Sequence, residues 1–266
     1  MSKRGLVFYP GNHTYRLDGR PVPGVTTITG VLDKSGALTK WAARSVAEYV
    51  ADHRDAVEHL YGMGRAPMID ALRGVPWERR DSAAARGTTL HDIADAVVRG
   101  EEVEVPDELV PVVESAISFM EDWHVTPVLT ETAVGSREHW YAGTLDLVAD
   151  ITDPTAGQVR AILDWKSGKA IYDSCAWQLN AYGHAEFYGL AGDEHPVADL
   201  GIERAYGVHI RPDGYDVYPL TYGPDIFAEW MVVRRAFDIH KRARGDWKSP
   251  GSGYVGRAIP SPRSAA

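Results

Sequence analysis

The residues best suited to chemistry are Asp164 and Lys166, in the run Ile162-Leu163-Asp164-Trp165-Lys166. On a strand, residues two apart share a face, so this carboxylate and this ammonium emerge side by side. Such a pair can hold a divalent metal while the lysine orients a water or stabilises developing negative charge. The triplet is weak alone, because Asp246-Trp247-Lys248 repeats it in a Gly/Pro-rich tail. That copy has no apolar strand before it and no acidic partner strand, and is assigned no role. Asp164 differs in its company. Eighteen residues upstream, Asp146 sits inside Tyr141-Ala142-Gly143-Thr144-Leu145-Asp146-Leu147-Val148. A polar turn region (Asp153, Pro154, Thr155, Gly157) separates the two runs, so antiparallel pairing predicts both aspartates at one end of a sheet. Two close carboxylates repel unless a cation lies between them, and all-oxygen ligation favours Mg²⁺ or Mn²⁺ over zinc. The competing reading, a pair of surface acids on an edge hairpin, is disfavoured by their apolar neighbours.

The positioning elements follow from hydrophobic pattern. HTYRLDGRPVP predicts a β-hairpin turning at Asp18-Gly19, with Thr26 or Thr27 as N-cap of the next helix. Helical spacing runs from Leu38 to about Leu60, and residues 62–86, broken by glycine and proline, read as short helices and loops. Gly87-Thr88-Thr89 predicts a helix start, which places His91 on its first turns; a further helix covers about 107–124. After Pro127 the β-branched runs VLTETAVGS, WYAGTLDLVADI and VRAILDWKSG predict strands. A helix over about 174–190 follows, with Gln178 and Tyr182 on one face. Two strands joined around Pro212-Asp213-Gly214 and a helix over about 225–244 complete the pattern. The reading is one α/β domain with four stretches: 1–30 (hairpin and lead-in), 31–126 (helical), 127–244 (core) and 245–266 (a loose tail). A lone helical histidine, or a Gln-x-x-x-Tyr pair, is by itself more often structural than functional.

In their order, these pieces resemble a known family. Gly87-Thr88-x-x-His91, Gly143-x-x-Asp146, Asp164-x-Lys166 and Gln178-x-x-x-Tyr182 are similar to the motifs of the PD-(D/E)XK nuclease superfamily, in its RecB-like branch of phage-encoded exonucleases. Val22-Pro23-Gly24-Val25-Thr26-Thr27-Ile28 and Ala37-Leu38-x-x-Trp41-Ala42 are similar to the front end of those phage proteins. The motif-bearing part covers about residues 86–190. The ordered set is specific, though none of its motifs is so alone.

The resemblance implies a restriction-endonuclease-like α/β core, a mixed sheet flanked by helices in the order αβββαβ. It implies that His91, Asp146, Asp164 and the carbonyl of Trp165 ligate one or two Mg²⁺ or Mn²⁺ ions. It gives Lys166 the role of positioning and helping to deprotonate the attacking water. Glu131 becomes an extra acid, and Gln178, Tyr182 and Arg86 become substrate contacts. The expected activity is metal-dependent hydrolysis of DNA phosphodiesters, exonuclease over endonuclease, in phage recombination, repair or replication. A single-strand annealing recombinase is the expected partner, and the host-cell cytoplasm the expected compartment. The alternatives are an endonuclease of the same superfamily or a non-catalytic DNA-binding protein on the same fold. The first acid here sits in Thr144-Leu145-Asp146 and not in a Pro-Asp pair.

Composition narrows the field. A single cysteine, Cys175, excludes a disulfide framework, a Cys-rich zinc site and the iron–sulfur cluster of some relatives. No apolar run reaches a membrane span, no signal-peptide core opens the chain, and no Walker motif is present. The net charge of −9 argues against a nucleic-acid binder only on average. Residues 95–122 hold nine acids and one base, whereas 231–248 hold six bases and two acids. Arg65, Arg73, Arg79, Arg80 and Arg86 form a second basic stretch. Phosphate contacts depend on local potential, so both basic stretches are expected to flank the metal cleft.

Overall fold

Strands with apolar residues on both faces make the centre of the molecule. In a computed structural model of the chain, residues 5–32, 35–100, 103, 105–190 and 192–244 are described; the side chains of 83, 84, 86, 88, 90–92, 190 and 244 are not. β4 (Thr126–Ser136), β5 (Tyr141–Asp153) and β6 (Gly157–Lys166) form an antiparallel meander. β5 buries Leu145, Leu147, Val148, Ala149 and Ile151, so it must be covered on both sides. β7 (Phe187–Leu190), β8 (Asp193–Pro196), β9 (Arg204–Arg211) and β10 (Gly214–Leu220) extend the sheet to seven strands in the order β10-β9-β6-β5-β4-β7-β8. Only the β6–β9 pair is parallel, which makes the sheet mixed.

Helices cover both faces. On one, α4 (Arg65–Val98) and α5 (Val110–Asp122) bring Ile93, Val113 and Phe119 against Leu147, Leu163 and Trp165. On the other, α1 (Val25–Thr29), α6 (Asp173–Gly183) and α7 (Pro224–Arg244) bring Ile28, Leu179 and Trp230 against Tyr141, Val148 and Ile162. A small sheet, β1 (Leu6–Tyr9), β2 (Thr14–Leu17) and β3 (Arg20–Val22), docks on the main one through Leu17, Val22, Ala142 and Phe187. The Ala142 N–H donates to the Pro23 carbonyl at 3.1 Å and fixes that docking. The chain is thus α/β with a helix-rich N-terminal half. Among the described residues no helix is long and apolar enough to cross a membrane.

Several elements differ from the pattern reading. The 38–60 helix is two, α2 (Ser35–Asp52) and α3 (Arg54–Met63), broken at the non-helical His53. Residues 62–86 are not loops. Residues 62 and 63 end α3, Gly64 separates the helices, and 65–86 form the first part of the continuous α4, which tolerates Pro76 while packing along α2 and α3. Gly87-Thr88-Thr89 therefore lies within a helix and does not begin one. Neither Thr26 nor Thr27 caps α1, whose N-cap is Gly24. The 174–190 helix stops at Gly183, because Phe187 pairs with Gly135 of β4 and starts an additional hairpin. Gly135 is needed there, since a Cβ would lie 2.9 Å from the Phe187 ring. The tail over 245–266, with the second Asp-x-Lys triplet, lies outside the described residues.

Asp153, at the β5–β6 turn, ties the turn to β9. It accepts hydrogen bonds from the backbone of Thr155 (2.6 Å) and Ala156 (3.0 Å), the Thr155 hydroxyl (2.7 Å) and the Tyr206 hydroxyl. Burial alone would raise its pKa, but these donors, Tyr206 foremost, pull it down to about 2. The folded value is below the unfolded one, so this stabilisation is present above about pH 4 and is lost as pH falls towards 2. Thermal melts from pH 6 to pH 2 should show Tyr206→Phe less stable by about 1.5–3 kcal/mol at pH 6. The difference should shrink as Asp153 protonates; a gap constant with pH would contradict the assignment.

Candidate active site

The β5–β6 ladder ends on Leu147 opposite Leu163, which makes Asp146 and Asp164 the next residues in register. There the strands part, and the Trp165 N–H donates to Asp146 Oδ2 at 3.0 Å. The Asp146 side chain thereby takes the place of a ladder bond and is held beside Asp164. Asp164 is only 1% exposed. Its Oδ1 accepts from Gln178 Nε2 at 3.2 Å, and its buried Oδ2 lacks a well-directed hydrogen bond and rests against the Lys166 ammonium as an ion pair. The Trp165 side chain points to the other face, edge-on to Phe119, so only its backbone serves the site.

Burial would lower the pKa of Lys166, but the charges of Asp164 and Asp146 outweigh it and hold the ammonium above its ordinary value. Lys166 is therefore a cation at neutral pH. Two carboxylates from neighbouring strands are hard oxygen donors that fit Mg²⁺ or Mn²⁺, with backbone or water oxygens completing the set. Among the described residues no group of three or more His, Cys, Asp or Glu side chains is placed to hold a metal. The expected ligand His91 and the expected contact Arg86 lie on α4, and their side chains are outside the description.

Gln178 and Tyr182 stand on the α6 face that meets the site, and Gln178 Nε2 also donates to the Tyr182 hydroxyl at 3.2 Å. Burial, with Tyr15, Asp146 and Asp164 nearby, keeps that hydroxyl neutral by pushing its pKa well above the usual range. Gly143 now has a reason. A Cβ there would fall 2.3 Å from Tyr182 Cε1, so the glycine three before Asp146 makes the seat for the tyrosine ring. At Gly87 a Cβ would meet nothing within 4 Å among the described residues.

Glu131 lies between Thr130 and Thr132, which pair Leu147 and Leu145, so its position in the β4–β5 register is opposite Asp146. Its backbone is left-handed (φ 41°), and the Thr132 hydroxyl donates back to the Thr130 carbonyl around it at 2.8 Å. Left-handed backbone at a non-glycine residue stores strain, which recurs at functional sites. Glu131 is exposed, in contrast to Asp164.

Two participants have no signal in the pattern. Tyr15, from the N-terminal hairpin, shares a 2.9 Å hydrogen bond with the Thr144 hydroxyl, two residues before Asp146 on β5. Burial raises its pKa, the Thr144 bond opposes this, and the charge of Glu131 adds to it. His209, paired in register with Lys166, has Nε2 2.6 Å from the Gly168 carbonyl and fixes the loop that leaves β6. A residue more than a hundred positions from Asp146, or one on the parallel strand, can be found only after the sheet is assembled.

Four members of the two basic stretches have structural partners. Arg234 is buried, donating to the carbonyls of His139 and Trp140 and pairing with Asp238, so it fastens α7 and offers nothing to a phosphate. Arg73, Arg79 and Arg80 pair with Asp70, Glu48 and Asp81 among the helices. The acidic α5 covers the face opposite Asp164, with Asp122 accepting from the Tyr215 hydroxyl at 2.6 Å.

No known protein family matches the chain, and no curated protein does either. The case for the site therefore rests on its residues. Gly143→Ala should destabilise the protein by about 1–3 kcal/mol in urea unfolding, because the added methyl drives Tyr182 from its seat. Wild-type stability in Gly143→Ala would mean that the ring is not seated as described.

Proposed function

We propose that the protein is a Mg²⁺- or Mn²⁺-dependent deoxyribonuclease with a restriction-endonuclease-like core, of the RecB-like kind, hydrolysing DNA phosphodiester bonds. The observation that carries this reading is the arrangement of Asp146 and Asp164 on parted neighbouring strands with the Lys166 ammonium against Asp164. A helix–three-strand–helix–strand order around the site (α5-β4-β5-β6-α6-β9, with the β7–β8 hairpin inserted) supports the fold assignment.

In this reading Asp146 and Asp164 would hold the cation, and the Trp165 carbonyl, water and His91 would supply the remaining ligands. When bound, the cation lowers the pKa of a coordinated water and offsets charge on the phosphate. Lys166, as a cation, places its ammonium where the phosphorane-like charge develops and orients the attacking water. The field of the two carboxylates keeps it protonated, so it would assist loss of the water's proton through its charge and not by taking that proton. Gln178 holds Asp164 Oδ1 and, with the neutral Tyr182, fixes the carboxylate's orientation. Glu131, the neighbour of Asp146 in the β4–β5 register, is the further acid that the motif order suggests for a second cation. No step needs a covalent enzyme intermediate.

An exonuclease of phage recombination or repair, acting with a single-strand annealing protein in the host cytoplasm, is the biological setting that the motif order suggests. Linear and covalently closed DNA, each incubated with Mg²⁺ or EDTA, should separate the readings. An exonuclease degrades the linear form alone and only with metal, while cleavage of closed circles assigns an endonuclease. Asp164→Ala should lose activity by at least about a hundredfold. Binding of DNA without cleavage under every condition would identify a non-catalytic binder, and full activity in Asp164→Ala would overturn the site. Lys166→Ala should lose turnover while calorimetric titration still shows Mn²⁺ binding; loss of both would make Lys166 part of the metal site's structure.

A further inference from the structure

One line of residues crosses the α6 face of the sheet from the proposed metal site to its edge. Asp146 and Asp164 stand next in the β5–β6 register, Asp164 is paired with Gly207 of β9, and Gly207 is paired with Tyr218 of β10. Directly paired residues share a face, so Tyr218 lies on the Asp164 side, two strand spacings or roughly 10 Å away. Gly207 presents no side chain, and Ile171 packs over it, 3.1 Å from where its Cβ would be.

Beyond Ile171 the surface opens into a groove of about 440 Å³, lined by Tyr172, Asp173 and Trp177 of the α6 end, Tyr218 of β10 and Glu229 of α7. Two of its aromatic rings face solvent: Tyr172 is 64% exposed and Tyr218 42%. Trp177 is held by a 3.2 Å hydrogen bond from its indole to Glu229. The loop of residues 167–171 runs from Lys166 to this groove, and its single basic residue, Lys169, is exposed.

We infer that this groove takes an unpaired base of a DNA strand whose backbone runs past Lys169 to the Asp164–Lys166 centre; the inference rests on the nuclease reading. Three features select a base as the occupant. Exposed tyrosines offer π faces on which a base stacks, and stacking contributes about 1–3 kcal/mol per base. A phosphate within the groove would meet Asp173 and Glu229 and be repelled. An exocyclic amine, such as N4 of cytosine, instead finds a carboxylate acceptor. The span of roughly 10 Å corresponds to about three stacked nucleotides at ~3.4 Å each. The substrate strand is then locally single-stranded on this side of the cut.

The test is binding of the full-length protein in EDTA, where no cleavage occurs, followed by fluorescence anisotropy of labelled oligo(dC), oligo(dT) and a blunt duplex. Tyr172→Ala and Tyr218→Ala should each weaken oligo(dC) binding about 5- to 50-fold. The phenylalanine variants should bind like wild type, and blunt-duplex affinity should not change. Asp173→Ala should reduce the preference for oligo(dC) over oligo(dT). Both tyrosines are exposed, so loss of fold does not confound the alanine variants. Wild-type binding in both alanine variants, or equal losses with the blunt duplex, would overturn the inference. Because binding is read without turnover, a failed groove leaves the nuclease reading to the Asp164→Ala assay, and a failed assay leaves the groove measurement standing.

Discussion

The site depends on the parting of β5 and β6 just beyond Leu147 and Leu163. Up to that pair the strands exchange ladder hydrogen bonds; beyond it, Asp146 supplies the acceptor for the Trp165 N–H. A buried N–H must be satisfied, so the backbone itself holds the Asp146 carboxylate beside Asp164. Two carboxylates at this separation would be costly if left uncompensated. The Lys166 ammonium compensates part of that cost and is in turn kept protonated by it. The neighbours act on the same geometry. Gln178 fixes Asp164, Tyr182 closes over Gly143, and Tyr15 reaches Thr144 from a hairpin that precedes all the helices.

The sheet also sorts charge. Its α5 face carries Glu114, Glu121 and Asp122 of that helix, and its α6 face carries Asp164, Lys166 and the groove edged by Tyr172 and Tyr218. The net charge of the chain therefore says little about the potential at the site, since the acids of α5 lie behind the sheet. Basic residues do not sort as simply. Arg234 fastens α7 to the carbonyls of His139 and Trp140, and Arg79 reaches Glu48 between helices. A run of basic residues on a helix samples every side of it, so packing decides which of them remains available to a ligand.

The sheet elements were the most legible part of the chain. Short apolar runs mark β4, β5, β6, β9 and β10, and they are nearly continuous in β6 and β9 because strands buried on both faces carry apolar residues on each. The helical half was less legible. Gly74 and Pro76 argue locally for a break, yet α4 runs through them because α2 and α3 pack along it. Phe187 continues a helical pattern locally, yet it pairs with Gly135 because a glycine there leaves room for its ring. In both cases tertiary packing outweighs a preference of about 1–3 kcal/mol.

The sequence by itself determined which groups the site can use. Asp164 and Lys166 must share a face because strand side chains alternate, and a short polar turn between two apolar runs brings Asp146 back to them. Gln178 and Tyr182 must share a helix face because they are four residues apart. Tertiary structure alone decided the strand parting that seats Asp146, the entry of Tyr15 and His209, the purpose of Gly143, and the row from Asp164 through Gly207 to Tyr218. Alternation and helical period act over a few residues and can be read along the chain. Register between distant strands and the room left by a missing Cβ arise only when separate segments meet.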